Sequence, residues 1–254
     1  MNAISANPIF VIAFMLISCF SCTTEQADNS LTVEQYIKLG VPDPWSEWNM
    51  EDFSQVHVAL TRIKWQKPFQ LPRKDSEKSG LLFEHMLSFD NMSFLNNNEL
   101  SLNEKAERIA AFVQVYDYWM DVYSNPIITN IYHRELIDIQ IFNLGVTERM
   151  LRLAQEINKS DVPTAVALQY GYKSIQMNFL NCLTNDLKVQ SRTSQFLKRD
   201  LDRMADTVYA AVLRNKSWMD SRTISDLKKS LNLVMDSTSS NHIRSKYTSL
   251  QKAL

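Results

Sequence analysis

The residues best suited to chemistry lie on one predicted helix, "AAFVQVYDYWMDVY", which covers residues 110–123. Gln114, Asp117 and Asp121 recur at steps of three and four, so they form a narrow polar line on a helix that is otherwise apolar and aromatic. Two carboxylates beside the ring of Tyr118 could act as an acid–base pair or clamp a ligand. The alternatives are that the aspartates are solvated or that they pair with Lys or Arg of a neighbouring helix.

A second group of charged residues lies in the predicted loop "LPRKDSEKSG", residues 71–80. Arg73 and Lys74 make it a candidate docking segment for an acidic partner or for lipid headgroups. Loops of mixed charge are more commonly just solvated. The charged residues His133, Arg134, Glu135 and Asp138, on a long predicted helix, are likewise expected to face solvent.

Several kinds of chemistry are disfavoured by what the sequence does not contain. None of the four histidines has a glutamate three residues before it, and no HExxH, GxSxG, GxGxxG or GxxxxGK[ST] pattern occurs. Cys182 lies on an apolar stripe and is expected to pack as a small hydrophobe. We therefore expect no metal and no cofactor. The net charge of −1, without a basic excess, predicts no nucleic-acid partner.

The N-terminal segment carries a different signal. Residues 8–17, "PIFVIAFMLI", have no polar side chain, yet ten residues are too few to cross a hydrocarbon core of about 30 Å. This length is typical of the apolar core of a signal peptide. The four residues ending at Cys19, Leu-Ile-Ser-Cys, resemble the lipobox of bacterial lipoproteins. The resemblance implies that residues 1–18 are a signal peptide and that Cys19 is lipidated after cleavage before it.

Two features bear on this interpretation and on where the protein would go. The first charged side chain is Glu25, whereas signal peptides normally begin with a positive region, so an ordinary secretory signal or an uncleaved apolar anchor is the alternative. If Cys19 is acylated, membrane lipid is a partner, and two or more chains give a stable anchor. Phe20 follows the cysteine, which under the sorting rule of enteric bacteria favours the outer over the inner membrane. We expect a lipid-anchored protein of the cell envelope, facing the periplasm.

The elements that must position these residues are predicted to be helices. Residues 19–31 would form the lipidated cysteine and a polar tether, and residues 32–254 a helical domain, with a possible subdivision near residue 98. Thr32 with Gln35, and Ser101 with Glu104, can form capping boxes. Apolar stripes at steps of three and four predict four long helices between residues 102 and 215. The expected fold is all-α, an irregular antiparallel bundle of about six to eight helices.

The leading functional hypothesis is an envelope lipoprotein whose helical domain binds a periplasmic protein partner or a small ligand near Asp117 and Asp121. An enzyme, such as an envelope hydrolase using the same aspartates, is the first alternative. The sequence ties no histidine or nucleophile to the aspartates, so an enzyme would lack a second catalytic group. A structural envelope component that associates with itself is the second alternative.

Overall fold

The computed structural model of the protein shows a bundle of helices. It describes residues 28–159, 165–192 and 195–254, and for Asn158 and residues 165–171 it describes the backbone alone. These ranges contain nine α-helices and no strand, so the predicted all-α fold is confirmed, with slightly more helices than expected. The predicted signal peptide, Cys19 and the predicted tether up to residue 27 lie outside the described residues.

Four of the nine helices are long, as predicted, and they follow one another in the chain. In order, the helices are α1 (Val33–Lys38), α2 (Met50–Ile63), α3 (Gly80–Met86), α4 (Leu102–Ser124), α5 (Pro126–Lys159), α6 (Ala165–Gln190), α7 (Lys198–Asn215), α8 (Ser221–Ser237) and α9 (Asn241–Ala253). Two 3₁₀ helices, Phe89–Asn96 and Lys216–Trp218, precede α4 and follow α7. Within the described ranges, no helix combines the length and the hydropathy needed to span a bilayer.

Both predicted capping boxes are present and fix the starts of α1 and α4. The Thr32 hydroxyl accepts a hydrogen bond from the Gln35 backbone N–H, and the Gln35 side chain accepts one from the Thr32 backbone N–H. Ser101 and Glu104 make the same reciprocal pair at α4. Each box satisfies two backbone donors that no helical carbonyl can reach.

A one-residue turn between α4 and α5 sets the geometry of the later site. Pro126 lacks a backbone N–H and so fits the first position of a new helix. The Asn125 side chain accepts from the backbone N–H of Ile127 at 3.1 Å, and the Asn125 carbonyl accepts from that of Thr129 at 2.7 Å. The turn makes α4 and α5 antiparallel neighbours, and α6 returns along the other side of α5.

The core is one continuous cluster of buried apolar side chains that runs from α1 to α9. Helix α4 contributes large aromatic rings whose hydroxyls reach the N-terminal segments. The Tyr116 hydroxyl donates to the carbonyl of Met86 and the Tyr123 hydroxyl to that of Pro72, both at 3.0 Å. These contacts hold the face of α4 opposite Asp117 and Asp121 inside the core, so the aspartates stay at its outer edge.

Candidate functional site

A cavity of about 500 Å³ opens where α4, α5 and the end of α6 meet. Its size lies within the range of small-molecule sites in proteins. Asp117 and Asp121 of α4 line one wall, while Lys188 of α6 and Arg192, just beyond the end of α6, line another. The apolar lining comes from Met120, Leu136, Val189 and Phe196. The structure therefore brings two of the predicted residues to a cavity and adds two cations that the sequence interpretation had missed.

Asp117 is held in place from α5. The Asn143 side-chain amide donates a hydrogen bond of 3.0 Å to Asp117 Oδ1. Part of the Asp117 surface remains exposed, but its carboxyl is partly removed from water, and this desolvation raises its pKa despite the opposing hydrogen bond from Asn143. Asp117 is thus a fixed acceptor that holds a proton more readily than an ordinary surface aspartate.

The four charged side chains of the cavity are not neutralised by partners. Asp117, Asp121, Lys188 and Arg192 form no salt bridge with any residue that the structure describes. This arrangement contradicts the alternative in which the aspartates pair with Lys or Arg of a neighbouring helix. Two carboxylates and two cations instead share one cavity without direct contact.

The helix register places Asp121 and Lys188 at similar heights along α5. Asn143 contacts Asp117 and also Cys182 of α6, so these three residues lie level with one another. Because α4 and α6 both run antiparallel to α5, Asp121 and Lys188 are each displaced from this level toward the start of α5. They therefore flank the stretch of α5 between Leu136 and Gln140, which forms the floor of the cavity.

Gln140 supplies an unused acceptor in this floor. It lines the cavity, its side chain is only 8% exposed, and its Oε1 has no hydrogen-bond partner among the described residues. A buried polar atom without a partner costs free energy, and native structures contain few of them. This oxygen is fully buried, so it does not face the open space of the cavity.

Gln114 of the predicted polar line and the neighbouring candidate Tyr118 lie outside the cavity lining. The Gln114 amide donates to the Tyr118 hydroxyl at 2.7 Å, and the Tyr118 ring stacks on His57 of α2 with a centroid distance of 4.8 Å. Burial lowers the pKa of His57, and nearby Asp121 opposes that effect. Gln114 and Tyr118 therefore connect α4 to α2 and do not line the cavity.

Arg73 and Lys74 lie beside α5 in a different region and line no part of this cavity. The Lys74 ammonium forms a salt bridge of 2.7 Å with Asp138, and the Lys74 backbone N–H donates to Glu135 at 3.0 Å. The Arg73 guanidinium lies over the ring of Tyr132 at 5.6 Å. The structure thus uses this loop to bind α5 of the same chain.

The prediction that the charged residues in this part of α5 face solvent is wrong for Glu135 and Asp138. Glu135 is 3% and Asp138 7% exposed, because the loop at residues 71–80 and helix α7 cover this part of α5. Arg203 of α7 pairs with Asp138 from the side opposite Lys74. Burial raises the pKa of Glu135, against the opposing hydrogen bond from the Lys74 backbone. Glu135 and Asp138 thus bind to α5 two segments that are distant from it in sequence.

A second polar group, which the sequence interpretation also missed, lies deeper on α6. Asp186 is 2% exposed and its Oδ2 has no hydrogen-bond partner among the described residues. Burial raises its pKa well above the ordinary range. It lies between Cys182, whose thiol pKa burial raises to about 12, and Gln190, which accepts a hydrogen bond from Tyr247 of α9. A thiol that holds its proton this firmly is unsuited to nucleophilic catalysis.

In the part of the chain that the structure describes, no group of three or more His, Cys, Asp or Glu side chains is placed to hold a metal ion. Compared with protein-family models, curated proteins and solved structures, the chain matches none of them. The function must therefore be inferred from the geometry of the cavity and from the N-terminal sequence.

Proposed function

We propose that the protein is a lipid-anchored lipoprotein of the bacterial cell envelope whose helical domain binds a small polar ligand in the cavity between α4, α5 and α6. One observation carries the binding proposal. Asp117 and Asp121 share a cavity of about 500 Å³ with Lys188 and Arg192, and none of the four is neutralised by another described residue. All four side chains are exposed, and Asp117 is held by Asn143, so a concave site offers a polar ligand charged groups that are not already paired.

The anchor part of the proposal is supported by sequence alone, through the apolar segment and the four residues that end at Cys19. Metabolic labelling with a fatty acid tests it. Wild type and Cys22→Ala should carry the label and sediment with membranes, whereas Cys19→Ala should do neither. Labelling that persists in Cys19→Ala would show that Cys19 is not the lipidated residue.

The binding part can be tested by blocking the cavity. The full-length chain is equilibrated with a defined mixture of amino acids, short peptides, sugars and nucleotides, and the retained compounds are identified by mass spectrometry. Asn185 is exposed and lines the cavity, so Asn185→Trp should fill it. Asn181 is exposed one turn earlier on α6 and lies outside the lining, so Asn181→Trp is the matched control.

We expect wild type and Asn181→Trp to retain the same compound and Asn185→Trp to lose it. Retention of nothing by wild type, or equal retention by both tryptophan variants, would contradict binding in this cavity.

A hydrolase is the second candidate, because desolvation raises the pKa of Asp117 one helical turn from Asp121. Of two neighbouring carboxyls, the one with the raised pKa is the better candidate for a general acid. In the same experiment, a hydrolase would release the retained compound in cleaved form. Cleavage by wild type that is lost in Asp117→Asn, with retention intact, would favour the enzyme over a binding protein.

A further inference from the structure

The charges of the cavity also indicate what kind of molecule fits it, if the proposed function holds. The acidic wall belongs to α4 and the basic wall to the end of α6, with the floor of α5 between them. Two negative and two positive side chains leave the lining with no net charge. A ligand with a single charge would be attracted by one wall and repelled by the other. A ligand with one charge of each sign, suitably separated, is attracted by both.

We infer that the cavity binds a zwitterion whose amine faces Asp117 and Asp121 and whose carboxylate faces Lys188 and Arg192. The inference rests on the proposed binding function and names the chemical class of its ligand.

The positions of the polar groups support this orientation. At the end formed by α4, Asp117 and Asp121 present carboxylate oxygens to the cavity as acceptors. An ammonium group has three donors and can be shared between these two carboxylates. At the other end, Arg192 offers a planar set of donors that matches a carboxylate, and Lys188 adds a second positive charge. Each end of the ligand thus meets groups of complementary type.

A series of simple ω-amino acids can measure the separation between the two ends. Glycine, 4-aminobutanoate and 6-aminohexanoate differ only in the length of the chain between amine and carboxylate. Hexanoate and hexylamine have a six-carbon chain like that of 6-aminohexanoate, but each carries only one of its two charges. Isothermal titration of the full-length protein with these five compounds separates the contribution of length from that of charge.

We expect one ω-amino acid to bind at least about tenfold more tightly than both singly charged compounds. The zwitterion inference is overturned if hexanoate or hexylamine binds as tightly as the best ω-amino acid. It is also overturned if no ω-amino acid binds saturably below about 10 mM.

Two variants assign the ends. Asp121→Asn should weaken the best ω-amino acid about tenfold and leave hexanoate unweakened, because only the amine loses a contact. Arg192→Gln should weaken the same compound and leave hexylamine unweakened. Glu107→Gln on α4 and Lys198→Gln at the start of α7 remove exposed charges outside the lining and should change nothing. If either cavity variant keeps full affinity, the assigned orientation is wrong.

Failure of this inference is distinguishable from failure of the proposed function. If Asn185→Trp abolishes retention of some other compound while no ω-amino acid binds, the cavity is a binding site for a different class of ligand. If Asn185→Trp has no effect on any retained compound, the binding site itself is wrong.

Discussion

The buried carboxyl of Asp186 makes a pH-dependent prediction for stability. This side chain is 2% exposed, and its Oδ2 lacks a hydrogen-bond partner among the described residues. Burial therefore raises its pKa well above the ordinary range in the folded protein. In the unfolded chain, the same carboxyl has a pKa of about 3.9. The perturbation to test is Asp186→Asn, which keeps the shape of the side chain and removes the titration.

The expected size follows from proton linkage. Between the two pKa values, the folded state holds one proton that the unfolded state has lost, so the free energy of unfolding falls by about 1.4 kcal/mol per pH unit. The contribution of Asp186 is fully present below the unfolded pKa and is lost as pH rises through the folded pKa. In Asp186→Asn this slope is absent. The variant should therefore gain about 1.4 kcal/mol of stability on wild type for each pH unit above the unfolded pKa, until the pH reaches the raised folded pKa.

Urea unfolding of the full-length chain, followed by circular dichroism at unit steps between about pH 4 and pH 7, measures this difference. A difference in unfolding free energy between the two proteins that is the same at every pH reflects packing or new hydrogen bonds of the amide. The change of this difference with pH is therefore the informative quantity. Asp226→Asn is the control, because Asp226 is exposed on α8 beside Lys229. It should stay within about 0.5 kcal/mol of wild type. Wild-type and Asp186→Asn curves that remain parallel would refute the argument.

Two further changes test contacts that hold the bundle together. A Cβ at Gly145 would lie 2.9 Å from Phe89 Cζ, the outer end of a side chain that is 41% exposed, so the Phe89 ring must move to admit it. Gly145→Ala should therefore stabilise by less than the ~1 kcal/mol that Ala gains over Gly in a helix, as measured by urea unfolding, and should reach that gain in a Phe89→Ala background. Equal effects in the two backgrounds would contradict the close approach. Arg214 donates two hydrogen bonds, of 2.6 and 2.7 Å, to buried Glu148 and holds its pKa down against the effect of burial. Arg214→Gln should lower the free energy of unfolding by about 2 kcal/mol at neutral pH. This is less than for a fully buried ion pair, because Arg214 is half exposed. The loss should fade below about pH 4 as Glu148 is protonated. A cost that is independent of pH would contradict this assignment.

Local patterns predicted the helices well, because the residues that specify a helix lie within a few positions of one another in the sequence. The steps of three and four marked the long helices α4 to α7, and the capping boxes at Thr32 and Ser101 marked two starts. The same pattern contained a signal that was overlooked. Asp186 falls on the apolar stripe of α6, four residues after Cys182 and three before Val189. A charged residue in such a stripe is the mark of a buried polar site.

Contacts between distant segments could not be predicted in this way. Glu135 and Asp138 looked like a solvated face because nothing in their own helix indicates that the loop bearing Lys74 covers it. The same limit applied to the candidate site. Asp117 and Asp121 were recognised from the polar line on α4, but their opposition to Lys188 and Arg192 depends on how α4 and α6 pack along α5. Half of the cavity's charges were therefore predictable, and the other half required the structure.

The central claim, that a ligand binds between α4, α5 and α6, is tested most directly by methyl NMR of methionine-labelled protein. The side chain of Met120 lines the cavity, whereas Met235 on α8 lies outside it. Titration with the compound that the full-length chain retains should shift the Met120 methyl resonance saturably and leave that of Met235 unchanged. Saturable binding that leaves Met120 unmoved would contradict the account.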